Sequence, residues 1–473
     1  MTRFELATPR PPDVCATGLR YIPNFSKTFV VGAANIRAKR NFQSILHKIL
    51  ERHMDILIKK ALIANTNSPF NGLQKDILVQ NGVIAAIDDT IEVAAETVVE
   101  AEGLTVSAGW IDGFAHFNEP GLEYKETLQT GAAAAAAGGY CAVCVLPNTQ
   151  PAIQSQTQVS YLVQKGLTLP VTILPLGAVS KQLEGKELAE MYDMQQAGAI
   201  AFSDGLYPIQ NAGLMLKALQ YVKAFDGTIV QMPVDKSIGA FGLINEGIVS
   251  TQLGLPGIPA LAEELIVKRD IDLLAYTQSR LHISGVTTAE SVQLIKAAKA
   301  KGLAVTCSVT PYHLYFCDED LQQYDTNLKT NPPLRSKQDM FALREAVANG
   351  WIDAIASHHQ PQNWDNKECE FEYAKYGMQG LQTAFAVVNT VLPQLTEAAI
   401  AKLFAEHTYT YLGLSSPLIA QGSKASLTLF SKYGTTQLTK ENNRSKSLNT
   451  PFLNCDLQGR VIGIVNKGVF IQS

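Results

Sequence analysis

The stretch Leu281-His-Ile-Ser284, followed by Thr287 to Lys301, Gly302 and then Ala304-Val-Thr-Cys-Ser-Val309, decides the fold. It reads as strand, helix, strand. Leu281–Ser284 and Ala304–Val309 are short apolar runs of strand length. Between them Thr287 and Glu290 fit a capping box, and Gly302 fits a C-terminal stop. Working outward, the same unit recurs. Strand ends are expected near Ile111–His116, Tyr140–Leu146, Val171–Gly177, Ala199–Ser203, Thr228–Met232 and Ala354–Ser357, with helical stretches between. Eight strands alternating with helices over about 300 residues favour a closed (β/α)8 barrel over an open sheet.

Short strands flank this middle on both sides. Asp55–Ile63, Asp76–Gln80 and Val83–Ile87 precede it, and the pair Asn81-Gly82 between apolar runs is a hairpin signal. Ala425–Phe430, Val461–Val465 and Val469–Ile471 follow it. The expected organisation is therefore a small β-sandwich made of residues 54–106 and 405–473, with the barrel at 107–404. Residues 1–53 differ in character, with nine Lys or Arg against three acids. They read as a basic extension without fixed structure, weakly like a transit peptide, or as sequence ahead of a true start at Met54.

Composition excludes several classes. At 46% hydrophobic and 17% charged the chain has material for a large core. A net charge of −4 supplies no basic field for nucleic acid, and no apolar run of about 18 residues suggests a membrane span. Seven scattered cysteines point to a reducing, cytoplasmic setting. Cys141 and Cys144 form a C-x-x-C inside Tyr140–Leu146, but three residues apart on a strand they face opposite ways, and no second pair completes a zinc site.

In a barrel of this kind chemistry sits where the strands end. There the chain reads Gly109-Trp-Ile-Asp-Gly-Phe-Ala-His-Phe-Asn-Glu-Pro-Gly121, then Leu146-Pro-Asn-Thr149, Lys329-Thr-Asn-Pro-Pro-Leu-Arg335 and Ile355-Ala-Ser-His-His-Gln-Pro361. Asn245-Glu-Gly247, Leu253–Pro259 with Ala262-Glu263, and Gly422 through Phe430 complete the set. In this order the motifs resemble the dihydroorotases and allantoinases of the amidohydrolase superfamily, from Met54 to the C-terminus. The resemblance implies a barrel of the amidohydrolase type. In active members it also implies two metal ions at the barrel mouth, which generate hydroxide and polarise an amide carbonyl.

Carried over position by position, the implied ligand set is depleted. The first histidine of the family's His-x-His pair is Phe114, and His116 is the second. The fourth-strand acid falls on Asp204, where the family usually has two adjacent acids. The fifth-strand histidine falls on Gln231, the sixth-strand histidine on Gly285, and the eighth-strand aspartate, which is also the general acid/base, on His358. The substrate-gripping arginine becomes Asn118, which lacks the bidentate fork. Asn148 and Asn331 stand at substrate-binding positions but also suit a structural role.

Two readings follow. In the first, the chain is a noncatalytic dihydroorotase-like subunit with no metal and no cofactor. Ser357-His-His-Gln-Pro361 is similar to degenerate homologues that accompany aspartate carbamoyltransferase in pyrimidine synthesis. The transferase catalytic chain is then the expected partner, with self-association as a further possibility. In the second, the chain hydrolyses a cyclic amide using one zinc held by His116, Asp204 and His358.

Overall fold

The computed structural model describes residues 54–473. The basic stretch 1–53 and the expectation attached to it lie outside the described residues. All eight expected barrel strands form. They are Trp110–Ala115, Tyr140–Val145, Thr172–Gly177, Ala201–Phe202, Ile229–Gln231, Leu281–Ser284, Val305–Val309 and Ala354–Ile355. Each runs parallel to the next. The first and eighth meet at a parallel bridge from Ala115 to His359, where the His116 amide donates to the His359 carbonyl at 2.8 Å. This bridge closes the ring, and the packed interior and the surrounding helices bury most strand residues on both faces, which is why these segments read as largely apolar runs.

A helix follows each strand, from Leu128–Ala137 after the first to Ala384–Val391 after the eighth. The helix expected from Thr287 starts one residue later. Thr288 is its cap, accepting from the Ser291 amide, because Thr287 is drawn to Glu263 instead. Gly302 takes the left-handed φ of 78° that ends the helix. The expected boundary at residue 404 lies within a helical run, Glu397–Ala401, a π-turn Lys402–Glu406, and His407–Tyr411. Tyr411 stays with the barrel: its ring stacks on His282 at 3.7 Å and its carbonyl accepts from Thr228 Oγ1 at 2.9 Å.

The flanking strands form one curled eight-stranded sheet assembled from both chain ends. The ends join where Leu427–Gln437 pairs antiparallel with Thr105–Ala108. The Asn81-Gly82 turn has both residues at positive φ, 50° and 71°, as a two-residue hairpin between twisted strands requires. Ile56, Ile77, Val106, Leu427 and Val465 pack together beneath this sheet. Two C-terminal strands, Leu427–Gln437 and Asp456–Asn466, are longer than their apolar runs because their polar ends pair beyond the core.

Candidate functional site

Strand alternation aims the first barrel strand's residues. A side chain at Gly113 would strike the hydroxyl of Tyr411 on the outer helix, so Asp112 and Phe114 point inward. Asp112 is fully buried and secures the barrel seam. Its carboxylate accepts from the Ser357 amide at 2.7 Å and the Ser357 hydroxyl at 3.0 Å. Burial raises its pKa against these bonds.

At the mouth three of the sequence-selected positions pack on one another. The Phe114 ring stacks on the His358 imidazole with centroids 4.2 Å apart and planes 24° from parallel. Nε2 of His358 lies 2.8 Å from Ser284 Oγ. Gly285 makes room for that ring: a Cβ there would come within 2.5 Å of His358 Cε1. Gly285 and His358 both have left-handed φ, 79° and 44°. Burial pushes the His358 pKa down to about 3, with His313 adding repulsion, so the imidazole is neutral.

The other positions are each tied to nearby protein groups. His116 Nε2 lies 2.7 Å from the Asn148 carbonyl; since a carbonyl only accepts, this nitrogen carries the hydrogen. Burial pushes His116 down to about 4. Asp204 accepts from the Val179 and Ser180 amides, both at 2.9 Å, and from the Ser180 hydroxyl. Burial nevertheless raises it to about 6. Gln231 exchanges both amide bonds with the backbone of Ile209, at 3.2 and 3.3 Å. Asn148 donates to the Asp204 carbonyl and accepts from the Leu206 amide, both at 3.1 Å, tying the second strand to the fourth.

Asn118 takes a φ of 59° and donates to the His116 carbonyl at 3.3 Å, while its buried Oδ1 has no hydrogen-bond partner. Asn331 is half-buried beside Pro332, whose carbonyl lies 3.2 Å from His313 Nε2.

This donor set does not fit the two-metal centre that the family pattern implies. One ligand position is a phenyl ring, one has no side chain, one is a neutral amide, and the general-base position is an imidazole under that phenyl ring. Among the described residues no group of three His, Cys, Asp or Glu side chains is placed to hold a metal ion. His116, Asp204 and His358 therefore do not form a common ligand cluster. Cys141 and Cys144 are both buried, with thiol pKa values raised by burial, in keeping with a strand interior.

Two buried networks were not legible as such in the sequence. Arg335 Nη1 donates to Asn245 Oδ1 at 3.1 Å and to the Ile258 carbonyl at 2.8 Å, and its Nε donates to Thr287 Oγ1 at 3.1 Å. Its Nη2 lies 3.8 Å from Glu263, which accepts the Thr287 and Thr288 amides. Four of the motif segments thus meet at one guanidinium. In the second network, fully buried Glu126 faces His359 Nε2 at 3.4 Å and accepts from the Ser445 hydroxyl and the Lys446 amide. Burial works to raise Glu126, but His359, Ser445 and Thr130 hold its pKa below the usual value.

Known proteins place this architecture. The Dihydro-orotase-like family profile matches residues 103–291. The chain is 39% identical over 423 residues to a dihydroorotase of Caldanaerobacter subterraneus subsp. tengcongensis, spanning 88% of this chain and 96% of that one. It is 40% identical over 411 residues to a dihydroorotase of Pelotomaculum thermopropionicum, spanning 86% and 96%. Among solved structures, the L-hydantoinase (dihydropyrimidinase) from Arthrobacter aurescens superposes with a TM-score of 0.77 at 22% identity, over 89% of this chain and 96% of that one. That likeness concerns the fold alone.

Proposed function

The chain belongs to the dihydroorotase-like family of the amidohydrolase superfamily, and from that premise we propose that it is a member without hydrolytic chemistry, acting in pyrimidine synthesis as a cytoplasmic binding partner of aspartate carbamoyltransferase. One observation carries the first half: Phe114, His358 and Gly285 fill one another's space where the family places metal ligands and a general base. The phenyl ring of Phe114 offers no lone pair to a cation, and the His358 imidazole beneath it, with Nε2 at 2.8 Å from Ser284 Oγ and its pKa pushed down to about 3 by burial, is a weak proton acceptor. The partner half rests on the Ser357-His-His-Gln-Pro361 motif and its similarity to transferase-associated homologues. A rigid barrel can offer a standard interface, roughly 1,600 Å² in total, with no chemistry at its mouth.

The opposing reading is an active dihydroorotase, favoured by the names of the 39% and 40% identical relatives. Two measurements separate the readings. Zinc-supplemented protein is assayed for dihydroorotate hydrolysis and its metal content is determined after desalting. No turnover and no stoichiometric metal are expected; one metal per chain with turnover selects the enzyme. Co-expression with the transferase catalytic chain from the same cell, followed by sizing, is expected to yield a joint complex. Separate elution together with unchanged transferase activity rejects the partnership.

A further inference from the structure

A cleft opens between the loop after the first strand, the segments after the seventh and eighth strands and the C-terminal segment. Its volume is about 390 Å³, within the range of small-molecule sites. None of Phe114, His116, Gln231, Gly285 or His358 lines it. Lys125, Lys367, Lys440 and Lys446 do, with Glu368 as the carboxylate among its lining residues. That concentration of positive charge is notable in a chain of net charge −4. Tyr124 and Trp364 also line the cleft and are left open to solvent, 56% and 71% exposed.

The walls are built rather than loose. Asn449 accepts from the Gln362 amide at 3.1 Å and donates to the Gln360 and Gly377 carbonyls at 3.1 and 3.0 Å. Lys446 Nζ is steered by the Glu123 carbonyl at 2.7 Å, and Lys367 Nζ by the Thr326 carbonyl at 2.8 Å. An ammonium has three donors, so each keeps hydrogens for a ligand. Burial pushes Lys367 down to about 7, with Lys329 adding repulsion. Lys125 is lowered by burial and by Lys375. An anion among these groups would offset both effects.

We propose that this cleft binds a phosphate monoester carrying a planar ring, of the chemical class of the nucleoside monophosphates, with the phosphate among Lys125, Lys440 and Lys446 and the ring against Trp364 or Tyr124. Lysine point charges suit a phosphate, and an open indole suits a stacked base. The assignment is independent of whether the barrel mouth has chemistry.

The test is calorimetric titration of the full chain with adenosine 5′-monophosphate, inorganic phosphate and adenosine, with tryptophan fluorescence recorded in parallel. The monophosphate is expected to bind saturably, at least about tenfold more tightly than phosphate or adenosine. Lys446→Met and Lys125→Met are expected to weaken it several-fold. Trp364→Ala should weaken the monophosphate and leave phosphate unchanged. These side chains lie at the cleft surface, and an unchanged melting temperature verifies that each variant is folded. Absence of saturable binding up to ~10 mM overturns the proposal. So does phosphate binding as tightly as the monophosphate, or affinity indifferent to both the lysine and the tryptophan variants.

Discussion

The phenyl ring of Phe114 lies 4.2 Å, centroid to centroid, from the imidazole of His358, joining the ends of the first and eighth barrel strands at two positions where the family resemblance implies a metal ligand and a general base. The contact is a buried stacked pair, and a perturbation of either ring is felt by the other.

A single repair at this contact is expected to fail. Phe114→His restores the His-x-His spacing with His116, but Gln231, Gly285 and His358 remain. Groups that act as a unit are strongly non-additive, so one restored ligand recovers little. The expected result is no dihydroorotate hydrolysis above the uncatalysed rate with zinc present. Turnover by that variant would mean the remaining positions suffice.

Gly285→Ala should destabilise the fold. The new methyl meets His358 Cε1 at 2.5 Å, and the backbone stays at a φ of 79°. Overpacking plus left-handed strain amounts to about 2–4 kcal/mol. Chemical denaturation measures it. In a His358→Gly background the steric part should vanish, leaving only the backbone cost. An equal loss in both backgrounds would show that the imidazole does not set the requirement for glycine.

Acid should unfold the protein early. Burial lowers His116 to about 4 and His282, His313 and His358 to about 3. The unfolded chain binds these protons near pH 6.5 and the folded chain does not. Their contribution is therefore present above pH 6.5 and lost as pH falls toward 4 to 3, by about 1.4 kcal/mol per pH unit for each histidine. Asp204 and Asp270, both raised to about 6, act in the opposite sense: each favours the folded state most below pH 3.8, and that benefit is lost as pH rises through 6. Asp112, also raised by burial, acts in the same sense as these two. With four buried histidines against three buried aspartates, melting temperature should fall between pH 6.5 and 5. His282→Asn should flatten the fall; the same slope in that variant would remove His282 from the account.

Arg335→Met should be among the most damaging single changes. It leaves Glu263 buried without its cation and Asn245 Oδ1 without a donor. Breaking one side of a buried ion pair costs about 3–5 kcal/mol. Urea denaturation reads the loss. Because the site lies away from the lysine cleft, the folded fraction should retain any ligand affinity measured there. A cost below about 1 kcal/mol would mean that Glu263 is satisfied by the Thr287 and Thr288 amides alone.

Much of this molecule was legible in one dimension. The eight barrel strands, their following helices, the Asn81-Gly82 hairpin and the end-built sheet are all local patterns of apolar period and turn residue. Where the reading slipped, a distant partner was the cause. Thr287 lost its capping role to Glu263, and the helical run through His407–Tyr411 continued past the expected boundary because Tyr411 packs on His282. Asp112 carried no special signal, since its partner Ser357 lies 245 residues away.

The sequence by itself determined which side chains stand where the family resemblance implies metal ligands, because residue identity at a motif position needs no geometry. Only the tertiary structure decided what those side chains do there: that Phe114 covers His358, that Gly285 leaves space for the ring, and that His116 and Asp204 are held by Asn148 and by Val179 and Ser180. It also gathered Lys125, Lys367, Lys440 and Lys446 from three separate loops into one cleft. Strand and helix periodicity is set by neighbours a few residues apart, whereas packing, burial and the proton affinities they shift depend on which distant segments barrel closure brings together.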